Sequence, residues 1–194
     1  MKRNVAILLF DDVEVLDFAG PFEVFAVTSE IHNHEPFNVY TVGETNSSIT
    51  ARNGLSVIPK HSIADCPPPD ILVVPGGFGT RKVMKNEALV AWVKEHAARQ
   101  ELTLSVCTGA LVLAAAGLLD GKEATTHHEN LGMLQDLIKG GTVRPDLRYV
   151  EQGNIITSGG ISAGIDVSLH VVEKLLGKEA ARKTAEYMEY GDWR

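Results

Sequence analysis

Cysteine and long apolar runs are scarce in this sequence. The two cysteines, Cys66 and Cys107, stand in a proline-rich loop and directly after an apolar segment, so they do not suggest a disulfide framework. We therefore expect a reduced, cytoplasmic protein. The apolar stretch near the N-terminus has six residues, too few for the core of a signal peptide. No run reaches the ~18 residues that a membrane span requires, so no membrane association is expected.

Positive charge is also in deficit, with 18 Lys and Arg against 25 Asp and Glu and a net charge of -7. Such a surface repels phosphate backbones and anionic lipids, so nucleic acid is not an expected partner. The adjacent histidines His127 and His128 have no third ligand at the spacing of a metal site. We therefore expect neither a metal nor another cofactor.

Short apolar runs alternate with longer amphipathic segments along the chain. The predicted strands are 5–10, 37–42, 71–74 and 102–106, with hairpins at 49–59 and 150–158. The predicted helices are 21–31, 87–99, 109–116, 128–138, 163–176 and 179–188. This order predicts an α/β fold, a doubly wound three-layer sandwich with a mainly parallel central sheet. No linker interrupts the pattern, so residues 1–194 are expected to form a single domain.

Ligands of such sheets bind at the carboxyl ends of the strands, where Gly77 and Cys107 fall. Cys107 ends an apolar run, and the small residues Gly109 and Ala110 open a helix with no intervening loop. So abrupt a turn is typical of a nucleophile elbow. The helix N-terminus is expected to lower the pKa of the thiol and to offer N–H groups to an oxyanion. The alternative is that Cys107 is a small buried hydrophobe, as most free cysteines are.

Candidate partners for the thiol lie in other segments. Asp17, in the connection after the first strand, is interpreted as a helix cap, as an acid directed at the sulfur, or as both. The turn Gly76-Gly77 follows a predicted strand and offers backbone N–H groups at the same sheet edge.

These residues together resemble the ThiJ/PfpI superfamily, relatives of class I glutamine amidotransferases with a flavodoxin-like fold. The similarity covers essentially the whole chain. It rests on Val-Pro-Gly-Gly at 74–77, Ser-Val-Cys-Thr-Gly at 105–109 and Ser-Gly-Gly-Ile-Ser-Ala-Gly-Ile-Asp at 158–166. Within the superfamily the chain is most similar to the isocyanide hydratase branch and to the ligand-binding half of AraC-type regulators. The branch markers are Asp17 in Leu-Asp-Phe-Ala-Gly-Pro and Ala-Thr-Thr-His at 124–127.

Sister branches differ at defined positions. The peptidase branch has histidine directly after the cysteine, where this chain has Thr108. Glutamine amidotransferases use a late His-x-Glu pair, whereas His170 and Glu173 are one residue too far apart. AraC-type regulators continue into a helix-turn-helix domain, and because this chain stops at Arg194 we expect no DNA-binding half.

The resemblance implies a role for each candidate residue. Cys107 is the nucleophile, and Asp17 occupies the position of the acid. Gly77 and Thr108 are similar to the residues whose backbone N–H groups donate to the oxyanion in the family, and His127 corresponds to a histidine that lies near the cysteine in several members. The family also implies a homodimer that acts on a small-molecule substrate.

Three functions stay open at this point. The first is the hydration of an isonitrile to an N-substituted formamide, with Cys107 as nucleophile and Asp17 as acid and base. The second is an amidase, glyoxalase or deglycase that acts on a small carbonyl compound. The third is a non-enzymatic redox- or ligand-sensing protein in which the cysteine oxidises to a sulfinate.

Overall fold

A computed structural model describes residues 2–192 of the chain. In chain order its helices and strands are β1 (Arg3–Leu8), α1 (Val15–Ile31), β2 (Phe37–Gly43), β3 (Ile49–Thr50), β4 (Ser56–Val57), β5 (His61–Ser62), β6 (Ile71–Val74), α2 (Thr80–Val83), α3 (Glu87–Ala97), β7 (Leu102–Ser105), α4 (Gly109–Ala115), β8 (Glu123–Ala124), α5 (Leu131–Leu137), β9 (Thr142–Val143), β10 (Tyr149–Gln152), β11 (Ile155–Ser158), α6 (Ala163–Leu176) and α7 (Lys178–Tyr187). Short 3-10 helices cover Arg52–Gly54 and His128–Asn130.

The central sheet has seven strands in the order β10-β11-β7-β6-β1-β2-β5. All neighbouring strands pair in parallel except β10, which runs antiparallel to β11 at one edge. Every residue of β6 and β7 is buried, as expected for central strands covered on both faces. Helices α1, α6 and α7 pack together in one outer layer, and α2, α3 and α5 pack around α4 in the other. The predicted doubly wound α/β fold is confirmed.

Helix α1 begins earlier than predicted. The rule that proline favours the first turn of a helix placed the start at Pro21, whereas the helix begins at Val15 and includes Pro21 in its interior. The added turn buries Asp17 and Phe18. We attribute the difference to tertiary packing, which overrides local helix preference when a turn contributes to the core.

Other predicted elements agree in kind and differ in extent. The hairpin at 49–59 is formed by β3 and β4, joined through Asn53 and Gly54 at φ values of 61° and 89°. The helix predicted at 128–138 is a 3-10 turn followed by α5. The sequence patterns missed β5, β9 and α2, which have two to four residues each and are too short to show a period. Across residues 2–192, no helix combines the length and apolar character needed to cross a bilayer.

Candidate active site

Cys107 lies in the sharp turn between β7 and α4. Its backbone has a φ of 55°, in the left-handed region that costs energy for residues other than glycine. Two hydrogen bonds hold this conformation: the Cys107 N–H donates to the carbonyl of Gly159 at 3.0 Å, and its own carbonyl accepts from the hydroxyl of Thr126 at 2.7 Å. The abrupt strand-to-helix turn predicted from the sequence is therefore present, and it is anchored by segments distant in the chain.

The thiol borders a pocket at the carboxyl ends of β6 and β7. Only 7% of Cys107 is exposed, but it lines a pocket of about 240 Å³. The other lining residues are Glu14, Arg52, Gly77, Phe78, Arg81, Thr108, His127, Glu129, Asn130 and Ile161. The sulfur is thus mostly shielded from solvent while bordering a space that a small molecule could enter, unlike a thiol enclosed by the apolar core.

Asp17 is the buried acid of the site. None of its surface is exposed, and its Oδ2 accepts a hydrogen bond from the Gly76 N–H at 2.9 Å. Its Oδ1 has no hydrogen-bond partner among residues 2–192. The residue that precedes α1 is Glu14, and its side chain makes no cap hydrogen bond. The interpretation of Asp17 as a helix cap is therefore wrong, because its carboxyl group crosses to the turn after β6.

Burial dominates the titration of this acid and of the thiol. It raises the pKa of Asp17 to about 7, with the charge of Glu14 adding to the effect and the Gly76 N–H opposing it. Burial and the neighbouring Asp17 raise the pKa of Cys107 to about 12. The expected lowering of the thiol pKa is therefore wrong, because the N–H and hydroxyl of Thr108 do not compensate for lost hydration. Because Asp17 and Cys107 interact, their titrations are coupled.

The two predicted oxyanion donors have different surroundings. The Gly77 N–H donates to the Thr108 hydroxyl at 2.9 Å, and that hydroxyl in turn lies 3.1 Å from the Gly77 carbonyl, to which it donates. The backbone N–H of Thr108 faces the sulfur of Cys107 and favours its ionised form. In this arrangement the Gly77 N–H is already hydrogen-bonded to a side chain, whereas the Thr108 N–H is directed at the Cys107 sulfur.

Gly76 brings these groups together. A Cβ atom at this position would lie 2.6 Å from the Thr108 nitrogen and 2.8 Å from Asp17 Oδ2. Contacts that short do not occur without displacement of one of the groups, so only glycine allows the turn after β6 to approach both the acid and the start of α4.

His127 belongs to the pocket wall. Its side chain is 21% exposed, and its Nδ1 accepts a hydrogen bond from the Glu129 N–H at 3.3 Å. Its ring lies against that of His128, with centroids 4.3 Å apart. Within residues 2–192, no group of three His, Cys, Asp or Glu side chains is placed to hold a metal ion.

A model of the DJ-1/PfpI family matches residues 3–174. The chain belongs to the DJ-1/PfpI family. Among curated relatives, the isonitrile hydratase of Pseudomonas putida is 37% identical over 190 residues, covering 98% of this chain and 79% of that protein. The HTH-type transcriptional regulator GbdR of Pseudomonas aeruginosa is 26% identical, covering 97% of this chain. The chain spans about half of that regulator, 51% of its length.

Solved structures of the family superpose closely on this one. A ThiJ/PfpI family protein from Pseudomonas syringae has a TM-score of 0.88 and 29% identity, covering 98% of this chain and 76% of that chain. DJ-1beta of Drosophila melanogaster has a TM-score of 0.85 and 21% identity, covering 98% and 100% of the two chains. The latter likeness concerns the fold alone.

The pocket of this DJ-1/PfpI protein also contains residues that the sequence did not single out. Ile161 has a φ of 55°, an outlier for a β-branched residue, and its N–H lies near the Asp17 carboxyl. The motif at 158–166 was the only available signal for it. Arg52 lies 3.8 Å over the ring of Phe78. No local motif marks Arg52 or Phe78, because they come from separate loops.

Proposed function

We propose that this protein adds water to an isonitrile and releases an N-substituted formamide. The observation that carries the proposal is a fully buried carboxyl group with a pKa of about 7, Asp17, next to a cysteine that borders a pocket. The 37% identity to an isonitrile hydratase over nearly the whole chain supports the same chemistry.

The first step suits an acid–base group that titrates near neutrality. The terminal carbon of an isonitrile accepts a nucleophile and a proton at the same atom. Asp17, as carboxylate, takes the thiol proton while the Cys107 sulfur forms a bond to that carbon. The carboxyl group then gives the proton to the carbon, which produces a thioimidate. Ionisation of the thiol in advance is not required, and this agrees with its raised pKa.

The second step consumes water. The water oxygen bonds to the thioimidate carbon, one of the water protons passes to the Asp17 carboxylate, and Asp17 relays that proton to the substrate nitrogen. An oxygen lone pair then forms the formyl C=O bond while the carbon–sulfur bond breaks. The remaining O–H proton passes to the sulfur, so the thiol and the Asp17 carboxylate are regenerated and the formamide is released. The Thr108 N–H, which faces the sulfur, stabilises negative charge on it as it leaves.

The test is turnover of cyclohexyl isocyanide, followed as formation of N-cyclohexylformamide. We expect Cys107→Ala to reduce turnover by at least about a thousandfold, because no other group forms the bond to carbon. Cys66→Ala is the matched control, since Cys66 lies outside the pocket, and it should retain wild-type turnover. Full activity in Cys107→Ala contradicts the mechanism. Failure of the wild type on a panel of isonitriles, with turnover of methylglyoxal instead, contradicts the substrate assignment.

A further inference from the structure

Arg81 places a guanidinium in the wall of the same pocket. Its Nη1 donates to the Gly77 carbonyl at 3.4 Å and to the Thr80 hydroxyl at 3.1 Å, and its Nη2 donates to the side-chain oxygen of Asn130. All three acceptors are neutral. Within residues 2–192, no carboxylate lies within 4.0 Å of this guanidinium, and its Nε makes no hydrogen bond.

The other charged groups of the pocket are already paired or solvated. Arg52 lies 3.6 Å from the Glu14 carboxylate and stacks on Phe78. The Glu129 side chain is 74% exposed and lies 4.0 Å from His127. Among the residues described, Arg81 is thus a cation of the pocket lining that has no carboxylate within 4.0 Å, whereas Arg52 has Glu14.

A half-buried guanidinium keeps its charge, and the Nε–H of Arg81 together with the second N–H of its Nη2 remains available to a carboxylate. Hydrogen bonds between arginine and a carboxylate are charge-assisted and stronger than those to the neutral acceptors present here. Asn130, Gly77 and Thr80 fix the orientation of the Arg81 side chain, so little rotamer freedom remains to be lost when an anion binds.

We propose that Arg81 makes the pocket selective for substrates that carry a carboxylate, namely small isonitrile acids. The substrate assignment rests on the proposed function, whereas the anion site does not. The pocket volume of about 240 Å³ leaves room for a compact acid such as isocyanoacetate.

The first test measures anion recognition without isonitrile chemistry. Iodoacetate and iodoacetamide have nearly the same shape and differ in charge. With either reagent the Cys107 sulfur displaces iodide and loses its proton. Peptide mass spectrometry gives the rate constant for alkylation of Cys107 by each reagent. The rate constant for iodoacetate is divided by that for iodoacetamide, and this ratio is then divided by the same ratio measured for 2-mercaptoethanol. We expect the normalised ratio to be at least about tenfold above one in the wild type.

Variants assign this preference to the guanidinium. Arg81→Met should bring the normalised ratio close to one, and Arg81→Lys should retain part of it because a point charge remains. Lys85→Met, which removes an exposed positive charge just after α2, is the matched control and should keep the wild-type ratio. A wild-type ratio near one, or a ratio that Arg81→Met leaves unchanged, overturns the inference.

The second test compares kcat/KM for isocyanoacetate and for its methyl ester. The acid should be preferred about 10- to 100-fold in the wild type, and Arg81→Met should abolish the preference mainly through the KM of the acid. A loss of activity that affects the acid and the methyl ester equally cancels in the ratio of their kcat/KM values. Equal turnover of acid and ester overturns the inference and leaves the proposed function standing. A preference for iodoacetate without turnover of any isonitrile overturns the proposed function and leaves the anion site standing.

Discussion

Replacing Asp17 by asparagine tests the raised pKa of this acid directly. The folded protein holds the carboxyl group with a pKa of about 7, whereas an aspartate in an unfolded chain titrates near ~3.9. The folded state therefore binds this proton more tightly than the unfolded state. The resulting stability is fully present below the unfolded pKa and is lost as the pH rises through the folded pKa.

The size of the effect follows from the two pKa values. A difference of roughly three units corresponds to about 4 kcal/mol over the whole titration. From pH 5 to pH 8, the contribution of Asp17 to the free energy of unfolding should fall by about 2 to 3 kcal/mol. Asparagine does not titrate, and its side-chain oxygen can still accept the hydrogen bond from the Gly76 N–H.

The assay is urea unfolding of wild type and Asp17→Asn at pH 5 and pH 8, at one protein concentration. The free energy of unfolding of the variant minus that of the wild type should be about 2 to 3 kcal/mol more positive at pH 8 than at pH 5, because only the wild type loses stability as Asp17 ionises. Taking this difference cancels every group that titrates equally in both proteins. Asp136→Asn, which removes an exposed carboxylate on α5, is the matched control. The same difference at both pH values would refute the reasoning.

Two further expectations concern activity and assembly. Because Asp17 must accept the thiol proton, kcat/KM for cyclohexyl isocyanide should rise with pH through an apparent pKa of about 7; a decline from pH 6 to pH 8 would contradict the proposed first step. We also propose that the protein is a homodimer, as the family resemblance implies; sedimentation velocity should give the mass of a dimer, and a monomeric wild type would contradict this proposal.

Most of the fold could be predicted from apolar patterning. The apolar runs in β1 and β6 are continuous and buried, β7 alternates leucine with buried Thr103 and Ser105, and the helices α3 and α6 show one apolar face each. Such patterns are local, so a single sequence contains them. The start of α1 could not be found in this way, because burial of its first turn depends on neighbours that are distant in the chain.

The candidate site was predicted in part. Cys107 is marked locally, by an apolar run that ends at a strand-to-helix turn. The proximity of Asp17 to it follows only from the pairing of β1 with β6 and of β6 with β7, which brings the ends of these strands together. The sign of the thiol pKa shift was predicted wrongly, because the sequence shows a helix N-terminus but not the depth of burial that outweighs it.

The sequence by itself determined the α/β layer order and indicated a cysteine as the candidate nucleophile, because both depend on residues adjacent in the chain. Only the tertiary structure decided that Asp17 is fully buried, that the Gly77 N–H is engaged by the Thr108 hydroxyl, and that Arg81 lines the pocket without a carboxylate partner among residues 2–192. Hydration and electrostatic pairing depend on which groups surround an atom in space. Those surroundings are set by the packing of segments far apart in the chain.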